Sequence, residues 1–418
     1  MKPLSVVGFC LILACNLTQL LAVDWPEPSE LPARPELPDV LAGATSAEDW
    51  QTTKRGEVMR QFEHYVYGRS PQLPKTENLR FETLFEKTAF GGKGLLREVR
   101  ISYPPEGTPP LYLLVAIPKN PKPAPAFVGL NFGGNHSCTD DPDVWLNENW
   151  IPKHKKGVVD HRATEAARGT SSDRWPFEFA VERGYAMATL YHGDIDPDYA
   201  DFTNGVHPHF FMEGVDEPLA GDWGAIGAWA WSLRLAASYL IANPAIHPEQ
   251  VCVMGHSRNG KTALWAGAQD ERFALVVSNQ SGCGGAALSR PRRGEKLINI
   301  NTNFPHWFND RFQDFNDRED HLPVDQHQLL ALIAPRPVLV CSATGDTWAD
   351  PEGEFETCRN AAPVYRLLGF DDFTAQKLPP ENQLIDSRIG YHIRPGKHGI
   401  GKADWAVLFD FADKQLGD

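Results

Sequence analysis

Two rhythms of apolar and polar positions divide the chain. "LREVRISY" and "LYLLVAIP" alternate with a period of two, which predicts antiparallel strands, while "AFVGLNF" is more continuously apolar. Beyond them, short apolar runs alternate with stretches at helical spacing. A strand in "YAMATLYHGDIDPDY" precedes a long helix over 222–243 that is apolar on most sides. Strand "QVCVMG", a tight turn and a helix rich in Ala, Leu and Trp come next, then strands "ALVVSNQ" and "RPVLVCSA". "EFETCRNAAPVYRLLG" and "KADWAVLFDFADKQL" predict the closing helices. Short apolar strands that alternate with helices predict an α/β fold with a mainly parallel central sheet sandwiched between helices.

Upstream of the strands, residues 46–68 open on a Ser-x-x-Asp capping box and continue at helical spacing. Residues 23–45 are rich in Pro and acidic groups and read as an extended arm. Ahead of them a single Lys2 precedes an apolar run from Leu4 to about Leu17, followed by small residues. That pattern reads as a secretory signal peptide over 1–22, too short to span a membrane in the mature protein. Ala22 offers one cleavage position, and "ILAC", ending at Cys15, is a poor lipoprotein box. The expected layout is a signal peptide, the arm, and one catalytic domain with inserted loops over 46–418. The expected compartment is secreted or periplasmic.

Composition narrows the function. The formal net charge of -14 argues against a nucleic-acid partner and against docking on anionic lipid. Any cluster of cations in such a chain is therefore local. Removal of the signal leaves Cys138, Cys252, Cys283, Cys341 and Cys358, an odd number that keeps at least one thiol free. Cys252 and Cys341 lie in apolar strand-like runs and are expected buried and unpaired. No C-x-x-C or H-x-x-x-H spacing occurs, so no metal site is expected.

The tight turn carries the candidate chemistry. Gly255-His256-Ser257-Arg258-Asn259-Gly260-Lys261 raises a serine between a strand and a helix. In an open parallel sheet, chemistry collects at the carboxyl ends of the strands. Ser257, Asp346 in "CSATGDTWADP" and His398 in "RPGKHGIGKADW" follow the chain order of an α/β-hydrolase triad. A serine hydroxyl is a weak nucleophile until an imidazole takes its proton, and a carboxylate must fix the imidazole tautomer. Asp350, Glu352 and Glu354 are rivals for the acid, but Asp346 falls just beyond strand "RPVLVCSA". The elbow departs from Gly-x-Ser-x-Gly, because Asn259 stands where the last glycine belongs. Gly133-Gly134 after "GLNF" reads either as an oxyanion loop or as an ordinary glycine turn. Arg258, next to the serine, can add a charged donor.

"GHSRNGKTALWAGAQDERFALVVSNQSGCGGAALSR", with "NFGGNH", "YHGDIDPD", "GDWGAIGAWAWSLRLA", "NFPHWF", "WADPEGEF" and "KHGIGKADW", resembles carbohydrate esterase family 15. These are the glucuronoyl esterases, here in their bacterial form, and the resemblance runs from about residue 46 to 415. It implies hydrolysis of the ester between 4-O-methyl-D-glucuronate on xylan and lignin alcohols. It also implies Ser257 as nucleophile and Arg258 as oxyanion stabiliser. Lys261 and Glu295 would hydrogen-bond sugar hydroxyls, and Trp348 would pack on the uronate. Lys261 sits one helical turn beyond Ser257, so both can face one pocket. Many members carry the triad acid as a glutamate in a Glu-Ser-Gly context, where this chain has Gln280-Ser281-Gly282. A glutamine supplies no negative charge, which again points to Asp346. His256 replaces the cysteine of fungal "GCSR", so a fungal-type disulfide is not expected there.

The reading is an exported serine esterase whose chemistry needs no cofactor, expected as a monomer acting on a glucuronoxylan–lignin polymer or another uronate ester. The mature domain is not expected to enter a membrane. The alternatives are an acetyl-xylan or other carbohydrate esterase, and a noncatalytic polysaccharide-binding protein on the same fold.

Overall fold

The computed structural model describes residues 25–212, 214–215, 217–370 and 373–417. The expected signal peptide, 1–22, lies outside the described residues. Ten strands form one sheet: β1 (Arg80–Ala89), β2 (Gly94–Ser102), β3 (Leu111–Pro118), β4 (Ala124–Asn131), β5 (Ala186–Tyr191), β6 (Ile246–His256), β7 (Leu275–Asn279), β8 (Val338–Ala343), β9 (Leu384–Asp386) and β10 (Ile389–Arg394). Their spatial order is β1-β2-β3-β5-β4-β6-β7-β8-β10-β9. β1, β2, β3 and β5 pair antiparallel, as expected for the two alternating runs that form β2 and β3. From β5 through β4, β6, β7 and β8 to β10 every pairing is parallel, and β9 closes the edge antiparallel.

The continuous apolarity of the parallel strands has a direct cause in packing. Val251 and Val253 of β6 face one core layer, while Cys252 and Met254 face the other. Val338 and Val340 of β8 split from Leu339 and Cys341 in the same way. Both faces are covered, so neither can be polar. The first layer receives the helices α3 (Ala225–Ala242), α4 (Arg258–Gln269), α6 (Gln326–Ala331) and α7 (Pro351–Leu367), after α1 (Arg55–Phe62). The second receives α2 (Phe177–Glu182) and α8 (Lys402–Leu416). A further helix, α5 (Leu297–Asn303), buries Leu297 and Ile300 in the first layer. α3 is long and apolar enough to cross a membrane, but most of it is buried in this core.

The expected helix over 46–68 forms as one helical run over 47–67, with π-type turns on either side of α1. Ser46 Oγ accepts the Asp49 N–H at 3.1 Å, which caps its start. β1, β9, β10 and several short helices were not legible in the sequence. Residues 25–45 lie bound against the body. Arg34 N–H donates to Asp320 O at 2.7 Å, and Tyr65 Oη donates to Pro26 O at 2.8 Å. All five described cysteines are buried and unpaired, as expected for Cys252 and Cys341.

Candidate active site

The serine elbow follows from local sterics. β6 ends at His256, and α4 begins at Arg258, with Ser257 between them at φ +60° and ψ -130°. A non-glycine residue at positive φ costs on the order of 1–3 kcal/mol, and such strain persists where its surroundings over-determine it. Gly255 is obligatory there, because a Cβ would sit 1.8 Å from Asn259 O. Asn259, the departure from the elbow pattern, is buried and donates through Nδ2 to Leu130 O at 3.0 Å. It ties the elbow to the end of β4, a task a glycine has no side chain to perform.

His398 and Asp346 come together from the ends of β10 and β8. Nδ1 of His398 lies 2.6 Å from Asp346 Oδ2, a charge-assisted length. Asp346 is buried, whereas the His398 side chain is 43% exposed and reachable by substrate. The His398 ring packs at a tilt against His256, the neighbour of Ser257, at 4.5 Å between centroids. His256 Nδ1 bonds Asn279 Nδ2 at 2.9 Å, and burial together with the charge of His398 holds its pKa well below the ordinary value. A neutral His256 avoids placing one cation against another when His398 is protonated.

Of the rivals for the acid, Asp350 pairs with Arg293, and Glu352 reaches the same arginine. Glu354 is fully buried and accepts the N–H groups of Ser281 and Gly282 at 2.9 and 3.0 Å. It also accepts Ser342 Oγ at 2.5 Å. Burial pushes its pKa up to about 8. It shapes the loop after β7, and its hydrogen bonds go to Ser281, Gly282 and Ser342 rather than to His398.

Arg258 has a partner that the sequence reading missed. Asp198, in the loop after β5, ion-pairs Arg258 Nη1 and accepts His306 Nε2 at 3.1 Å and Trp307 Nε1 at 2.9 Å. Burial works against its charge, yet His306 and Arg258 hold its pKa well below the ordinary carboxylate range. The Arg258 guanidinium lies 4.5 Å from the Trp307 ring centroid. "YHGDIDPD" and "NFPHWF" were noticed in the sequence only as resembling stretches; the contact that joins them is tertiary.

Lys261 is buried, and its ammonium donates to Ser281 O. Burial lowers its pKa, and Glu295 opposes that. Glu295 N–H bonds Trp348 O at 2.9 Å, so these two residues share one wall. Trp348 is 53% exposed, an apolar face open to a ligand. The Gly133-Gly134 reading as an oxyanion loop fails, because both N–H groups donate to Asn131 Oδ1, at 3.3 and 2.9 Å. That carboxamide turns them inward. No group of three or more His, Cys, Asp or Glu side chains suited to a metal occurs among the described residues.

A sharp serine elbow at the carboxyl end of a parallel strand, with histidine and acid at later strand ends, defines the α/β-hydrolase class. A family model described as glucuronyl esterase of fungi matches residues 217–369. Carbohydrate esterase MZ0003, from an unknown prokaryotic organism, is 47% identical over 91% of this chain and 89% of its own length. A solved promiscuous CE15 esterase from a marine bacterial metagenome superposes with a TM-score of 0.85 at 46% identity, covering 93% of this chain and 99% of that one. The glucuronoyl esterase of Solibacter usitatus superposes with a TM-score of 0.85 at 41% identity, covering 93% and 100%. A 4-O-methyl-glucuronoyl methylesterase of the fungus Phanerochaete carnosa is 30% identical over 48% of this chain and 52% of its own length. The chain belongs to carbohydrate esterase family 15, the glucuronoyl esterases, and is a carboxylic-ester hydrolase.

Proposed function

We propose that the chain is an exported monomeric esterase that cleaves the ester between 4-O-methyl-D-glucuronate of glucuronoxylan and lignin alcohols. Ser257 is the nucleophile, His398 the general base and acid, and Asp346 the triad carboxylate. The observation that carries this reading is the 2.6 Å contact between His398 Nδ1 and Asp346 Oδ2, beside a strained serine. With Nδ1–H held by Asp346, Nε2 is the nitrogen free to take the Ser257 proton. Oγ then attacks the uronate carbonyl, and Arg258 meets the negative charge that develops on its oxygen. His398 returns the proton to the departing alcohol, and a water molecule activated by the same ring releases the uronate.

Lys261 and Glu295 read as donors and acceptors for sugar hydroxyls, with Trp348 as the face on which the ring packs. Support comes from Glu295 and Trp348 sharing a wall and from Lys261 being one turn from Ser257. The single domain over 46–418, the arm over 23–45 and removal of 1–22 on export belong to the same reading. The test is hydrolysis by the purified protein of benzyl or methyl glucuronate against acetylated xylan. Turnover of the uronate esters with little release of acetate is the expected result. Acetate release alone would make the chain an acetyl-xylan esterase.

A further inference from the structure

A recess opens beside Phe132. It is a cavity of about 220 Å³ between the end of β4 and the segment 154–175. Lys155, Lys156 and Arg174 line it, with Phe132 and Trp175 as its apolar wall and Asp173 as its carboxylate. Among the described residues, Lys155, Lys156 and Arg174 have no ion-pair partner. The Lys155 ammonium lies instead 5.2 Å from the Phe132 ring centroid. Three unpaired cations around one cavity are unexpected in a chain of net charge -14. Lys156 is exposed, but Lys155 and Arg174 are half-buried, and charged groups removed from water are normally paired, because their desolvation is otherwise uncompensated. Burial, Arg174 and Arg258 push Lys155 down to about 8, so a bound anion would relieve both the burial and the repulsion.

The position of this recess assigns its occupant to one side of the scissile bond. Phe132 stands edge-on to His256 at 6.3 Å, and His256 packs at a tilt against His398 at 4.5 Å. The charge of Arg174 reaches His256, as that of Arg258 reaches Lys155. Lys261, Glu295 and Trp348 belong to a different wall, built on Ser281 and the loop after β8. The acid that protonates a leaving oxygen must lie beside it, so the group attached to that oxygen lies on the His398 side. We infer that this recess is a leaving-group subsite for an aryl alcohol that carries an anionic substituent such as a carboxylate. The inference rests on the esterase reading of Ser257 and His398.

The test compares 4-carboxybenzyl glucuronate with benzyl glucuronate. At low salt, kcat/KM is expected to favour the carboxybenzyl ester by roughly tenfold, equivalent to about 1.4 kcal/mol. The preference should shrink in Lys155→Met and Arg174→Gln and as ionic strength rises. The wild-type ratio and its salt dependence need no variant, so poor folding of either variant leaves the test intact. A second arm needs no turnover: calorimetric binding of 4-(hydroxymethyl)benzoate and of benzyl alcohol to the intact protein. Equal kcat/KM for the two esters overturns the subsite. If neither ester is cleaved, the esterase reading falls, and binding decides the subsite. Tighter binding of the carboxylate, lost in Lys155→Met, then supports it, and equal binding overturns it.

Discussion

Gln280 Oε1 accepts the backbone N–H of Gly399 at 2.8 Å, so the end of β7 grips the loop that carries His398. Asn279 Nδ2 adds a contact to Gly399 O at 3.3 Å, and Arg394 donates to the same oxygen at 2.9 Å. Gln280 is thus a neutral clamp on the histidine loop. The negative charge comes to His398 from Asp346 instead.

That division of labour has a kinetic consequence. Asp346→Asn is expected to lower kcat on benzyl glucuronate by roughly 10³–10⁴-fold at neutral pH, through loss of the correct imidazole tautomer. Gln280→Ala, which loosens the loop and removes no charge, is expected to cost about tenfold or less. Gln280→Glu in the Asp346→Asn background should recover part of the activity. Steady-state kinetics of the three variants check this. Full activity in Asp346→Asn would place the acid elsewhere.

Ser257 joins chemistry to strain. Ser257→Ala should abolish ester cleavage and keep the strained backbone, since alanine also resists positive φ. Ser257→Gly should be equally inactive yet more stable, by about 1 kcal/mol, because glycine adopts φ +60° freely. Thermal melting of the two variants side by side reads the difference. A glycine variant no more stable than the alanine one would show that the elbow holds no such strain.

Arg258 and Asp198 are expected to act as a unit. Arg258→Ala should lower kcat by about 10²-fold or more and change KM little, because its donor meets charge that develops in the transition state. Asp198→Ala should also lower kcat, by releasing the guanidinium from its place against Trp307. The double variant should be little worse than Arg258→Ala alone, since contacting residues are not additive. A double-mutant cycle on kcat measures this, and strict additivity would separate the two residues.

Glu354 makes stability depend on pH. Its carboxyl titrates near 4.5 when free and is pushed up to about 8 in the fold, chiefly by burial. Between about pH 4.5 and 8 the unfolded chain has released a proton that the folded chain keeps. Stability therefore falls as pH rises through that window, by up to about 1.4 kcal/mol per pH unit, and levels off above it. Glu354→Gln keeps an acceptor for Ser281 and Gly282 and should flatten this part of the profile. Denaturant unfolding of both proteins across the window tests it.

The sequence by itself determined most of the parallel part of the sheet, all but β10, and its longer covering helices. Strands buried on both faces must be apolar throughout, and helices that cover them must be amphipathic or apolar, so both patterns are written locally. It also marked Ser257, because an elbow needs Gly255 and a small neighbourhood within a few residues. β10 was not read, although "IGYHIR" is short and buried, since nothing in its pattern separates it from a loop. Only the tertiary structure decided what each side chain serves. Gly133 and Gly134 bend inward because Asn131 accepts both N–H groups. Glu354 and Asp346, eight positions apart, diverge because one points into the core and the other toward the β10 loop. Arg258 is held by Asp198, 60 positions away, and no local pattern records such a pairing. Burial and electrostatic pairing belong to three-dimensional neighbours, so residue type alone cannot assign them.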